Sequence, residues 1–84
     1  MYMTNHASVR SQQRSIPRNV IDIVIKFGEC KPAGHGTESY YLSKNTWNLL
    51  KNDLELDKKT LEKCRYVYVV TSNCGAVITV AHKH

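Results

Sequence analysis

Two short stretches, Arg65 to Thr71 and Ala76 to Ala81, are rich in valine, isoleucine, threonine and tyrosine, and only Ser72-Asn73-Cys74-Gly75 separates them. Such residues fit a pleated, half-buried sheet, and a glycine-bearing gap this short joins antiparallel neighbours. The pair reads as a hairpin, expected at the centre of the sheet. Because successive side chains alternate across a strand, an even-residue turn puts Val67, Val69, Ile78 and Val80 on one face. That set is the expected core. Tyr66, Tyr68, Val77 and Thr79 fall on the other face, which offers two phenolic rings and a hydroxyl as a working surface.

A second hairpin is expected from Cys30 to Ala33 and Glu38 to Leu42, around the turn Gly34-His35-Gly36. Upstream, Thr4 or Asn5 caps a short polar helix that runs to about Gln13. Ser15 is suited to cap the next helix, with Pro17 in its first turn. Val20, Ile21, Val24 and Ile25 form one apolar stripe on it, so this is the helix expected to cover the sheet, and Gly28 closes it. Ser43 caps a further helix carrying Trp47, Leu49, Leu50 and Leu54, and Leu56 to Lys63 holds another helical turn. At 84 residues and 42% apolar content the chain supports one modest core. The expectation is a single α+β domain over residues 1–84, with N-terminal helices packed on one face of a small antiparallel sheet of about four strands.

Charge sharpens the functional reading. Residues 1–26 carry Arg10, Arg14, Arg18 and Lys26 against Asp22 alone, and residues 63–84 carry Lys63, Arg65 and Lys83 with no acid. If the two ends meet, they form one positive face suited to a polyanion such as RNA; the plainer reading is solubilising charge. His6, Arg10 and Arg14 recur every fourth residue, which on a helix lines them along one edge about 6 Å apart. Arginine grips phosphate oxygens through paired donors and histidine carries a proton near neutrality, so this edge suits a phosphodiester. His82 becomes relevant if the strand end brings it to His6. Tyr66 and Tyr68 are candidates for stacking on bases, with Lys26 and Lys83 as further RNA-binding cations.

Other chemistries find less support. Cys30, Cys64 and Cys74 are odd in number without a C-x-x-C pair, so reduced thiols are expected rather than disulfides or structural zinc. The scattered acids do not converge as two-metal catalysis requires, so no metal or cofactor is expected. No run of 18 apolar residues and no secretory pattern occurs, so a cytoplasmic protein with no membrane partner is expected.

The series His6-Ala-x-x-Arg10-x-x-x-Arg14-x-Ile16, the helix ending at Gly28, Tyr40-Tyr41-Leu42, Tyr68-Val69-Val70 and Val77-Ile78-Thr79-Val80 resemble the family called domain of unknown function 4258. The resemblance covers nearly the whole chain, and its opening motif is the most specific part. That family is similar to a wider group of small bacterial ribonuclease toxins, including barnase-like and RelE-like proteins, several of which cut RNA without metal. The resemblance implies His6 as proton carrier, Arg10 and Arg14 as phosphate binders, and Thr79 at the sheet side of the site; His82 and Lys83 are added from the basic tail. It further implies an acidic antitoxin as partner. The family's usual glycine before the isoleucine is Ser15 here, which its capping role accounts for. The alternatives are a noncatalytic RNA-binding module and a protein-interaction domain.

Overall fold

The computed structural model describes residues 2–53 and 56–82. Among these the order is α1 (Asn5–Gln13), α2 (Arg18–Phe27), β1 (Glu29–Gly34), β2 (Thr37–Tyr41), α3 (Lys44–Leu50), α4 (Lys58–Cys64), β3 (Val67–Ser72) and β4 (Val77–His82). The strands form one antiparallel sheet in the order β1-β2-β3-β4. This is the α+β class expected. Leu54, in the expected stripe of the third helix, lies outside the described residues, and α3 ends at Leu50.

Helix starts follow side-chain chemistry in three of four cases. Thr4, Ser43 and Asp57 each accept a backbone N–H from the first turn of α1, α3 and α4, satisfying a donor the helix cannot use itself. At α2 the expectation fails. Pro17 is the N-cap and supplies no side-chain bond, while Ser15 sits at φ 54° in the left-handed region. The reversal from α1 into α2 needs that conformation, so Ser15 is a linker in a glycine-favoured geometry and not a cap.

The core lies between α2 and the sheet. Val20, Ile21 and Val24 pack with Val67, Val69 and Val80, and Leu42, Leu61, Cys64, Ala7 and Ile16 extend the cluster. Gly28 permits the turn into β1, because a Cβ there would lie 2.1 Å from the Val24 carbonyl oxygen and 2.8 Å from that of Tyr41.

Two expectations about the last hairpin are corrected. β3 is interior, but β4 is an edge strand rather than central. The assignment of faces also changes at the start of β4. Val70 pairs with Thr79 and Thr71 with Val77, so Ile78 is an extra residue at a bulge. Val77 therefore turns into the core at 0% exposure, while Ile78 is half-buried. The N-terminal segment explains the break: Val77 donates its N–H to the Tyr2 carbonyl, its own carbonyl accepts from the Thr4 N–H, and the Thr4 hydroxyl donates to the Ile78 carbonyl. Simple alternation carries no information about a third segment pairing at that point.

Candidate nucleic-acid interface

The same Thr4 contacts fix α1 against β4. His6 and Arg10 lie within α1 and Arg14 is its C-cap, so the helical edge expected from the sequence is present. Ala7 is fully buried on the neighbouring stripe, Arg10 is half-buried, and His6 and Arg14 are exposed. Among the described residues, no side-chain hydrogen bond or ion pair engages His6, Arg10 or Arg14.

The basic ends of the chain do meet. The Cys64 thiol donates to the Val20 carbonyl at 3.9 Å, which places the end of α4 against the start of α2. Lys63 consequently joins Ser11, Gln12, Ser15, Ile16 and Pro17 around a shallow depression of about 300 Å³. Thus α1 begins beside Val77 and ends beside Lys63, a cation that the charge count registered without placing.

His82 is exposed at the end of β4 and pairs with Val67, five residues along the strand from Val77, where α1 begins. Thr79 is half-buried opposite Val70 and faces away from Val69 and Val80, on the helix-free side of the sheet.

That helix-free side carries Tyr68, with Tyr41 directly across from it. Lys31, Ser39, Tyr41 and Tyr68 line a depression of about 420 Å³. The Lys31 ammonium is 5.1 Å from the Tyr41 ring centroid, and the Tyr41 hydroxyl donates to Glu29 at 2.9 Å. Tyr66 precedes β3, 52% exposed, with the Arg65 guanidinium 5.2 Å from its ring. Lys26 is not brought to this face. It is exposed in the last turn of α2, 5.4 Å over the Phe27 ring, and so belongs to the helical layer. Lys83 lies outside the described residues.

Two thiols are pushed towards their protonated form, Cys30 and Cys64. Cys30 donates to Glu38 at 3.1 Å, and this bond to a carboxylate pushes its pKa above the ordinary thiol value. The Tyr40 hydroxyl shares that carboxylate at 3.2 Å. Burial pushes the Cys64 thiol up to about 11. Neither suits a thiolate nucleophile. Among the described residues no three His, Cys, Asp or Glu side chains group as metal ligands, and no helix is long and apolar enough to cross a membrane.

Sequence reasoning missed the cluster at Trp47. Lys51 and Arg65 both approach its ring, at 5.3 and 4.9 Å from the centroid. The four-residue spacing of Trp47 and Lys51 on a helix was the available signal.

Compared with family models, curated proteins and solved structures, the chain finds no match in any of the three.

Proposed function

We propose that this protein is a metal-independent endoribonuclease that holds RNA along the outer edge of α1. The observation that carries the reading is the α1 edge itself: an imidazole and two guanidiniums project at one-turn intervals from a helix fixed to an edge strand, with no acid engaging them among the described residues. The resemblance in the opening motif points the same way.

In the proposed reaction His6 takes the proton from a ribose 2′-hydroxyl. The 2′-oxygen bonds to the adjacent phosphorus, and the bond from phosphorus to the 5′-oxygen breaks, leaving a 2′,3′-cyclic phosphate and a 5′-hydroxyl. Arg10 donates two hydrogen bonds to the non-bridging oxygens as their charge grows, and Arg14 holds the next phosphate. The leaving 5′-oxygen takes its proton from solvent. A single titrating base gives a rate that rises with pH to a plateau rather than a bell. DNA lacks the attacking hydroxyl and is spared. An acidic protein covering the α1 edge would inhibit by exclusion, the relation expected of an antitoxin.

The test is incubation with labelled RNA in excess chelator. His6→Ala is expected to lose roughly 10²- to 10⁴-fold in rate with unchanged folding, and His82→Ala to keep most of its activity. Equal cleavage by His6→Ala removes His6 from the mechanism. A noncatalytic RNA-binding role is the second reading, favoured by the Tyr41–Tyr68 pair and Lys31 on the open sheet face; salt-sensitive binding with intact RNA would select it.

A further inference from the structure

Between α3 and α4 lies a cleft of about 280 Å³ lined by Trp47, Lys51, Asn52, Lys58, Leu61 and Glu62. Its volume is too small for a large cofactor and suits one phosphate with part of its sugar or base. The indole is fixed, because its Nε1–H donates to the Leu61 carbonyl at 3.0 Å. On that fixed ring rest the Lys51 ammonium, 5.3 Å from the centroid, and the Arg65 guanidinium, 4.9 Å away. The ring holds two flexible cations that would otherwise lose rotamer entropy on meeting an anion. Lys58 adds a third positive group, against Glu62 as the acid of the lining.

The end of α4 links the cleft to the end of α1. Lys63 borders the depression beside Ser11 and Gln12, and Arg65, two residues further on, lies over Trp47. We propose that this cleft is a second phosphate subsite, which takes a backbone phosphate of the same RNA strand beyond the segment held by α1, so that Lys63 and Arg65 bridge the two. The inference rests on the proposed reading that RNA lies along α1. The chemistry recognised is a phosphate group, and the strand rather than free phosphate supplies it.

Trp47 is the single tryptophan of the chain and reports on the cleft directly. The experiment titrates the intact protein with a 2′-O-methylated oligouridine, which has no attacking hydroxyl, and reads end-label anisotropy for binding and Trp47 emission for the cleft. Inorganic phosphate is titrated in parallel. Emission should change together with anisotropy. The exposed double variant Lys51→Gln with Lys58→Gln should bind roughly tenfold more weakly and flatten the log–log salt dependence by about 1.4, the loss expected for two single-strand phosphate contacts. Anisotropy that rises while emission stays flat, with the double variant binding as the native protein does, overturns the subsite and leaves the α1 reading standing. Phosphate alone reproducing the emission change at the oligonucleotide's midpoint concentration overturns the RNA assignment in favour of a free-anion site. Absence of binding by either readout overturns the α1 reading, and the subsite with it.

Discussion

Ser15 and Gly28 show how single backbone positions hold the helical layer in place. Ser15 at φ 54° occupies a region that costs a side-chain-bearing residue roughly 1 kcal/mol. Ser15→Gly relieves that cost but gives back part of it as unfolded-state entropy, so a gain of about 0.5 kcal/mol and a Tm a few degrees higher are expected in thermal melts. Gly28→Ala is the opposite case. Its methyl would meet the Val24 and Tyr41 carbonyl oxygens at 2.1 and 2.8 Å, backbone atoms that cannot swing aside. A loss of about 3 kcal/mol or more is expected, read as a lower denaturation midpoint. Cys64 sets a pH dependence. Its folded pKa of about 11 stands above the thiol's ordinary value of 9.0, so its stabilising contribution is complete below pH 9 and is lost as pH rises towards 11. The full loss amounts to about 2–3 kcal/mol. Cys64→Ala should flatten the fall in stability across that window, and an unchanged slope would assign the alkaline loss to other groups.

At the scale of the elements, the sequence carried much of the fold and less of the site. The α2 stripe was legible because Val20, Ile21 and Val24 recur at helical period, and Val67 and Val69 because they alternate between half-exposed neighbours. The bulge at Ile78 was not legible, since it depends on Tyr2 and Thr4 pairing with a strand more than seventy residues away. Nor was the edge position of β4, which follows from β2 taking the other side of β3. On the site, the edge bearing His6, Arg10 and Arg14 was readable from spacing alone. Where His82 stands relative to the start of α1 was not, because it depends on which end of β4 receives that helix. Thr4 carries that placement, as N-cap and as donor to the Ile78 carbonyl. Thr4→Ala is expected to cost about 1–2 kcal/mol, and hydrogen exchange should show faster opening in α1 than in α2.

At the scale of the whole molecule, one layer of helices covers one face of the sheet and leaves the other to Lys31, Ser39, Tyr41, Tyr68 and Thr79. The net charge of +5 gives a long-range pull on polyanions, and the proposed RNA site on the α1 edge would give that pull a location. Binding of uncleavable RNA should therefore weaken steeply with salt, and the combined variant Arg10→Gln with Arg14→Gln should reduce the slope by about 1.4. The same slope in the native protein and the variant would place the strand elsewhere. Cleavage in excess chelator, with native protein and His6→Ala side by side on matched RNA and DNA, bears most directly on whether the α1 edge is an active site. The expected result is RNA cut to 2′,3′-cyclic phosphate and 5′-hydroxyl ends by the native protein alone, with DNA intact; RNA left whole by the native protein, or cut equally well by His6→Ala, would contradict it.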